Sequence, residues 1–258
     1  MKNLLKEKIA YGEKGIGIFY ELGGNAPAQC IGIAGFDFFI IDSEHGPAGV
    51  MDAMQAISAI AKYPTTPFVR VPDSTRTSVL KMLDIGAQGL IIPNVESVEE
   101  AKNLVKYAKY FPLGRRGFAP SLASEFGNAD FAVSMDLQFK VCNAEQLLVP
   151  QCETKGCLDH IEEIAALDGI DGIFIGPYDL SIALGKPGQM DTEEFKAAIE
   201  RILKACKDNG KLSFIYANDA AQSAARFAQG FDCVACGLDA IFLVKALKEL
   251  VVESKSSC

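Results

Sequence analysis

Phe36-Asp37-Phe38-Phe39-Ile40-Ile41 is a short, largely apolar run. It is closed by Asp42-Ser43-Glu44-His45-Gly46-Pro47 and followed by a segment, 48–61, whose apolar residues recur at helical spacing. A run this short, rich in aromatic and β-branched residues, reads as a parallel strand buried on both faces. The same order of strand, polar turn and helix repeats along the chain. Further runs lie at 16–20, 67–71, 89–93, 147–152, 172–175, 212–216 and 233–236, and helical patterns lie at 74–83, 98–109, 157–166, 192–208, 219–229 and 238–252. Asp73-Ser74 and Asp191-Thr192-Glu193-Glu194 signal helix starts, since their acids suit the positive end of a helix dipole. Gly210 stops the helix that opens at Thr192.

Eight strands alternating with helices in 258 residues predict one domain, 1–258, folded as a (β/α)₈ barrel. The first unit has the least regular pattern, because 23–34 is rich in Gly and Ala. A doubly wound open sheet would carry a Gly-rich phosphate turn after its first strand; here Lys14-Gly15-Ile16-Gly17 leads into the strand instead. One connection, 113–145, is longer than barrel loops usually are. It holds Gly114-Arg115-Arg116-Gly117 and a helix expected near 128–139, and an insertion of this kind is expected to be functional or interfacial.

The formal net charge of −8 argues against nucleic acid or an anionic membrane as the main partner. No stretch approaches the roughly 20 apolar residues of a membrane span, and residues 1–11 alternate Lys and Glu with apolar residues, unlike a signal peptide. A cytoplasmic location is therefore expected, where cysteines do not imply disulfides. Cys233 and Cys236 have C-x-x-C spacing, but on a strand residues three apart face opposite ways, so no redox or metal site is expected there.

In a barrel the chemistry sits at the C-terminal ends of the strands. Glu153 and Asp179 fall at two neighbouring ends, and paired carboxylates there make a site for a hard divalent cation such as Mg²⁺ or Mn²⁺. Capping of the helix after Glu153 is the competing reading. Gln151, two residues before Glu153, points to the same face. His45 stands three residues after Asp42, and a carboxylate beside a histidine supports a general base, although a structural role fits as well. His160, among Asp159, Glu162 and Glu163, reads as a surface residue. Arg70 lies inside a strand run, where a guanidinium needs an anion: a substrate carboxylate or enolate oxygen, or an internal pair with Asp42 or Glu44. Strands two to six carry no lysine and Lys211 stands at the wrong end of strand seven, which disfavours a Schiff base and favours a metal.

Several motifs, in order and spacing, resemble the HpcH/HpaI aldolases, the class II pyruvate aldolases. They are Phe39-Ile40-Ile41-Asp42-Ser43-Glu44-His45-Gly46-Pro47, the segment 83–93, Arg116-Gly117, Gln151-Cys152-Glu153-Thr154 and the segment 168–181, and the match spans roughly 5 to 250. The resemblance implies a divalent-metal-dependent aldolase that makes or cleaves 4-hydroxy-2-oxo acids. Glu153 and Asp179 would bind the metal (Mg²⁺, Mn²⁺ or Co²⁺), which would chelate the 2-oxo acid. Arg70 would stabilise the enolate oxygen, with Gln151 in the substrate site. The backbone around Gly176-Pro177-Tyr178-Asp179 would hold the carboxylate. His45, oriented by Asp42, would act as acid/base at the 4-hydroxyl through a water on the metal. A homohexamer with exchanged C-terminal helices is implied too, in which Asp84 and 113–145 would complete a neighbour's site. Tyr178 departs from the pattern, standing where many relatives carry a small residue. Two other readings compete: an acyl-CoA C–C lyase resembling citrate lyase β or malyl-CoA lyase, and a barrel that binds 2-oxo acids without turnover. The Glu44-His45-Gly46-Pro47 segment weighs against the first, and the intact set of charged residues against the second.

Overall fold

The computed structural model describes residues 1–256. Strands β1 (Gly15–Tyr20), β2 (Phe38–Asp42), β3 (Thr66–Arg70), β4 (Gly89–Ile92), β5 (Leu147–Cys152), β6 (Gly172–Ile175), β7 (Leu212–Ala217) and β8 (Cys233–Leu238) close in chain order into a parallel barrel. Around it run α1 (Leu4–Ala10), α2 (Asn25–Ala34), α3 (Val50–Ile60), α4 (Arg76–Asp84), α5 (Val98–Ala108), α6 (Met135–Glu145), α7 (Lys155–Asp159), α8 (Ile161–Ala165), α9 (Pro177–Ala183), α10 (Glu193–Asp208), α11 (Ala220–Ala228) and α12 (Asp239–Ser256). The fold is the (β/α)₈ barrel that the alternating pattern predicts.

Period-two alternation places the site. Phe38 and Ile40 of β2 point into the barrel, while Phe39 and Ile41 face the helices. Phe68, Leu147, Val149, Phe174 and Phe214 share the inner cluster. Phe38, Phe68 and Phe214 meet with ring centroids 5.5 to 5.9 Å apart and close the floor. One further inward step on each strand carries Asp42, Arg70, Gln151, Gly176 and Tyr216 to the mouth. The buried aromatic floor leaves these polar groups open only upward.

Four details differ from the sequence expectation. Residues 4–10 form a helix, α1, whose Leu5 enters the inner cluster and plugs the N-terminal foot, which would otherwise leave Phe38 and Phe68 facing water. The helix expected near 128–139 starts only at Met135, where Ser134 caps it by accepting the Leu137 N–H; the preceding residues form two 3₁₀ turns. The helix expected over 157–166 breaks at His160 into α7 and α8. A short helix, α9, follows β6 directly, with Pro177 at its start, where a missing N–H costs nothing.

The 113–145 insertion leaves α5 and returns into β5, so it lies at the foot of the barrel, away from its own mouth. Cys233 and Cys236 are buried free thiols. His160 is exposed, with Nδ1 3.0 Å from Glu163, as its charged neighbours predict. Among the described residues no helix is long and apolar enough to cross a membrane.

Candidate active site

Asp42 and Arg70 are partners in the β2–β3 register, and both side chains reach the mouth. Arg70 Nε donates to Asp42 Oδ1 at 2.9 Å, Nη2 donates to Asp42 Oδ2, and Nη1 lies 3.3 Å from Glu44 Oε2. Burial alone would lower the Arg70 pKa, but the bonds from Asp42 and the charge of Glu44 outweigh it and raise it. Burial would likewise raise Asp42, yet Arg70 holds its carboxyl below the ordinary value. The guanidinium lies 4.8 Å over the Phe19 ring, which fixes its plane from below.

Glu153, only 4% exposed, has no cationic partner among the described residues. Its Oε1 accepts the Asn94 N–H at 2.8 Å, and its Oε2 accepts from Gln151 Nε2. Burial pushes its pKa up, and the nearby Glu44 and Asp179 carboxylates add to the rise. Asn94 makes its bond from a left-handed conformation (φ 53°), which asparagine tolerates better than most residues, and its Nδ2 donates to Glu44 Oε1 at 3.1 Å. Gly176 permits this packing. A Cβ there would stand 2.6 Å from Glu153 Oε2 and 3.0 Å from Gln151 Nε2. Asp179 sits exposed in the first turn of α9.

A cavity of about 200 Å³ opens over this arrangement, lined by Phe19, Glu21, Arg70, Gln151, Phe174, Gly176, Pro177, Tyr178, Asp179, Tyr216 and Leu238. Of the sequence candidates it brings together Arg70, Gln151, Gly176, Pro177, Tyr178 and Asp179. Glu153 lies buried beneath Gly176. His45 stands outside the lining, its side chain 67% exposed. The expected Asp42–His45 relation takes another form. Asp42 Oδ1 lies 3.3 Å from the His45 backbone N, which donates to it, while the imidazole Nε2 is 3.9 Å from Glu44. Both Asp42 oxygens are occupied by Arg70, so the carboxylate shapes the loop and does not orient the ring. Glu21 was not foreseen. It follows β1 as directly as Asp42 ends β2, and that position was the available signal.

A profile described as HpcH/HpaI aldolase/citrate lyase matches residues 16–246. The chain belongs to that family. Over 255 residues it is 34% identical to a hydroxypyruvate/pyruvate aldolase of Roseobacter denitrificans, covering 98% of this chain and 97% of the relative. It is 33% identical to a 2-keto-3-deoxy-L-rhamnonate aldolase of Salmonella paratyphi A, covering 99% and 94%. A solved HpcH/HpaI aldolase/citrate lyase family protein from Burkholderia cenocepacia J2315 superposes with a TM-score of 0.89 at 30% identity, covering 98% and 100%.

The donor set of this HpcH/HpaI barrel fits a divalent cation. Among the described residues Glu153 and Asp179 offer hard oxygens without a countercharge, and the buried Gln151 Oε1 has no hydrogen-bond partner. Among the described residues no group of three or more His, Cys, Asp or Glu side chains is placed to hold a metal ion, so a metal held by Glu153 and Asp179 would draw its remaining ligands from water and substrate. Asp84 is not part of this mouth. It ends α4 at the foot, where Arg116 Nη2 donates to it at 2.6 Å.

Proposed function

We propose that this protein is a divalent-metal-dependent aldolase that cleaves or forms 4-hydroxy-2-oxo acids, with pyruvate as one product and a small aldehyde as the other. The observation that carries this reading is the uncompensated Glu153–Asp179 pair beside a locked Arg70 in a small cavity. The curated relatives named as aldolases match nearly the full chain and support it.

Glu153 and Asp179 would hold the metal, which when bound polarises the keto group as a Lewis acid. Mg²⁺ or Mn²⁺ suits two carboxylates, and Co²⁺ is compatible with the same donors. Arg70, fixed by Asp42 before substrate arrives, stabilises the charge that develops on the enolate oxygen. Gln151 keeps Glu153 in place, and the first turn of α9, from Gly176 through Pro177 and Tyr178 to Asp179, cradles the carboxylate. His45 at the rim takes the proton of the 4-hydroxyl. The C3–C4 bond then breaks, its electron pair passes into the enolate, and protonation at C3 completes pyruvate.

The same reading includes a cytoplasmic homo-oligomer, with a hexamer expected. In α12 only Asp239 is buried, while Ile241, Leu243, Val244, Leu247, Leu250, Val251 and Val252 are exposed. A helix that is apolar around most of its surface needs a covering partner, and a neighbouring barrel would provide one. Phe111, Phe126 and Val133 expose further apolar surface on and beside the insertion. Asp84 would reach a neighbour's mouth only through such an assembly.

The test is pyruvate release from a panel of 4-hydroxy-2-oxo acids, with EDTA and after Mg²⁺ or Mn²⁺ is restored. Metal-dependent release is expected. No release from any member by folded, metal-supplemented protein would turn the reading toward an acyl-CoA lyase or a silent binder.

A further inference from the structure

We infer that Glu21 reads the aldehyde half of the substrate and directs this site toward neutral hydroxyaldehydes and away from aldehydes that carry a carboxylate. The inference rests on the pyruvate-aldolase reading and deepens it by naming the substrate class.

Acidic residues outnumber basic ones around the cavity. Its lining holds two acidic residues, Glu21 and Asp179, and among the described residues a single basic one, Arg70. Arg70 is already matched: Nε and Nη2 bond to Asp42, and Nη1 lies 3.3 Å from Glu44. A carboxylate on the aldehyde half would find no second basic side chain in the lining, and the metal proposed at Glu153 and Asp179 would already be taken by the 2-oxo acid. It would also face Glu21, and like charges in a partly buried site repel more strongly than in water.

A hydroxyl meets the opposite situation. The β1–β2 register, with Tyr20 paired to Ile41, sets Glu21 beside Asp42. Burial first, and then the neighbouring Asp42, raise the Glu21 carboxyl, while Arg70 holds Asp42 below its ordinary value. As a carboxyl Glu21 can donate to a hydroxyl, and as a carboxylate it can accept from one. Both states offer a partner to a neutral polar group.

The position is fixed from several sides. The Glu21 backbone N–H donates to Asp239 Oδ1 at 3.0 Å, tying the end of β1 to the start of α12. On the other side Gly46 comes so close that a Cβ there would stand 3.2 Å from Glu21 Cγ. Phe19, Tyr216 and Leu238 complete the lining with apolar surface. At about 200 Å³ the cavity suits a short acyl chain with one or two hydroxyls.

A matched pair of substrates tests this: 4,5-dihydroxy-2-oxopentanoate, which ends in a hydroxymethyl group, and 4-hydroxy-2-oxoglutarate, which ends in a carboxylate. kcat/KM for pyruvate release is measured for both with metal-supplemented protein in its solution assembly. The wild type is expected to favour the dihydroxy acid by at least about tenfold, and Glu21→Gln to narrow that ratio about tenfold, or ~1.4 kcal/mol. Glu21→Ser is read in the same way if the Gln variant does not fold. A ratio that stays within about twofold of wild type, including a uniform fall for both substrates, overturns the inference, because a merely structural Glu21 would affect both alike. If the wild type cleaves neither acid but does cleave another 4-hydroxy-2-oxo acid, the inference is overturned; if it cleaves no 4-hydroxy-2-oxo acid at all, the aldolase reading itself fails. If it cleaves both equally and the variants do not change that, only the role of Glu21 is lost.

Discussion

The mouth and the foot of this barrel both bury charge, and they do opposite things with it. At the foot Lys109 is fully buried and its pKa is pushed down by desolvation, as a Schiff-base lysine's would be. Its ammonium nevertheless has all its valence occupied: Nζ donates to Asn143 O at 3.1 Å, Gln146 O at 2.6 Å and Asp171 Oδ2 at 2.7 Å. Arg116 beside it bonds Gln146 and Asp84, each at 2.6 Å, and its one nitrogen unpartnered among the described residues, Nε, faces no cavity of the mouth. At the mouth, among the described residues, Glu153 has no cationic partner and Gln151 Oε1 no hydrogen-bond partner, and a cavity opens above them. A shifted pKa therefore does not separate structure from function here. Unfilled valence facing a cavity does.

Substitutions at the two ends should break or sharpen this contrast. The largest effect is expected from Glu153→Gln, which should lower pyruvate release by roughly 10³-fold or more and abolish metal binding measured by calorimetry. Its melting temperature should stay level or rise, since the change removes an uncompensated buried carboxylate. A large loss of stability would mean that Glu153 belongs with the foot. Next, His45→Ala should retain metal but lose about 10²- to 10⁴-fold in retro-aldol rate, the range of general acid–base catalysis. A rate within threefold of wild type would remove His45 from the mechanism.

Lys109→Met should do the reverse. Breaking the ion pair and leaving Asp171 without its cation costs about 3–5 kcal/mol, visible in urea unfolding, while kcat of the folded fraction should hold. A smaller effect is expected from Gly176→Ala. The added methyl displaces Glu153 and Gln151 from contacts at 2.6 and 3.0 Å, and metal affinity should fall about 10- to 100-fold with little change in unfolding. Normal affinity in that variant would show that the carboxylate can shift without consequence.

Much of this contrast is legible in the sequence, because strand alternation is local. The runs at 147–152 and 172–175 coincide with β5 and β6, and counting by twos from Phe68 or Val149 leads to Arg70 or Gln151 and on to Glu153. What escapes is decided by non-local contacts. Asp42 beside His45 in sequence suggests a catalytic dyad, but Arg70 on the next strand takes both its oxygens. Glu21 lies within the unit with the least regular pattern, and only the closure of β1 against β2 and β8 brings it to the cavity. The face on which 113–145 lies follows from topology: a helix-to-strand connection must end at the foot, whatever its sequence suggests.

The central question is whether the 2-oxo acid needs the metal proposed at Glu153 and Asp179. The direct measurement is thermal unfolding with and without pyruvate, in metal-free protein and with Mg²⁺ or Mn²⁺ restored. Pyruvate at about 100 times its Kd should add ~2.7 kcal/mol, several degrees of melting temperature, only when metal is present. An equal shift in the metal-free protein would contradict the account, since pyruvate would then be bound without the site that the two carboxylates are proposed to form.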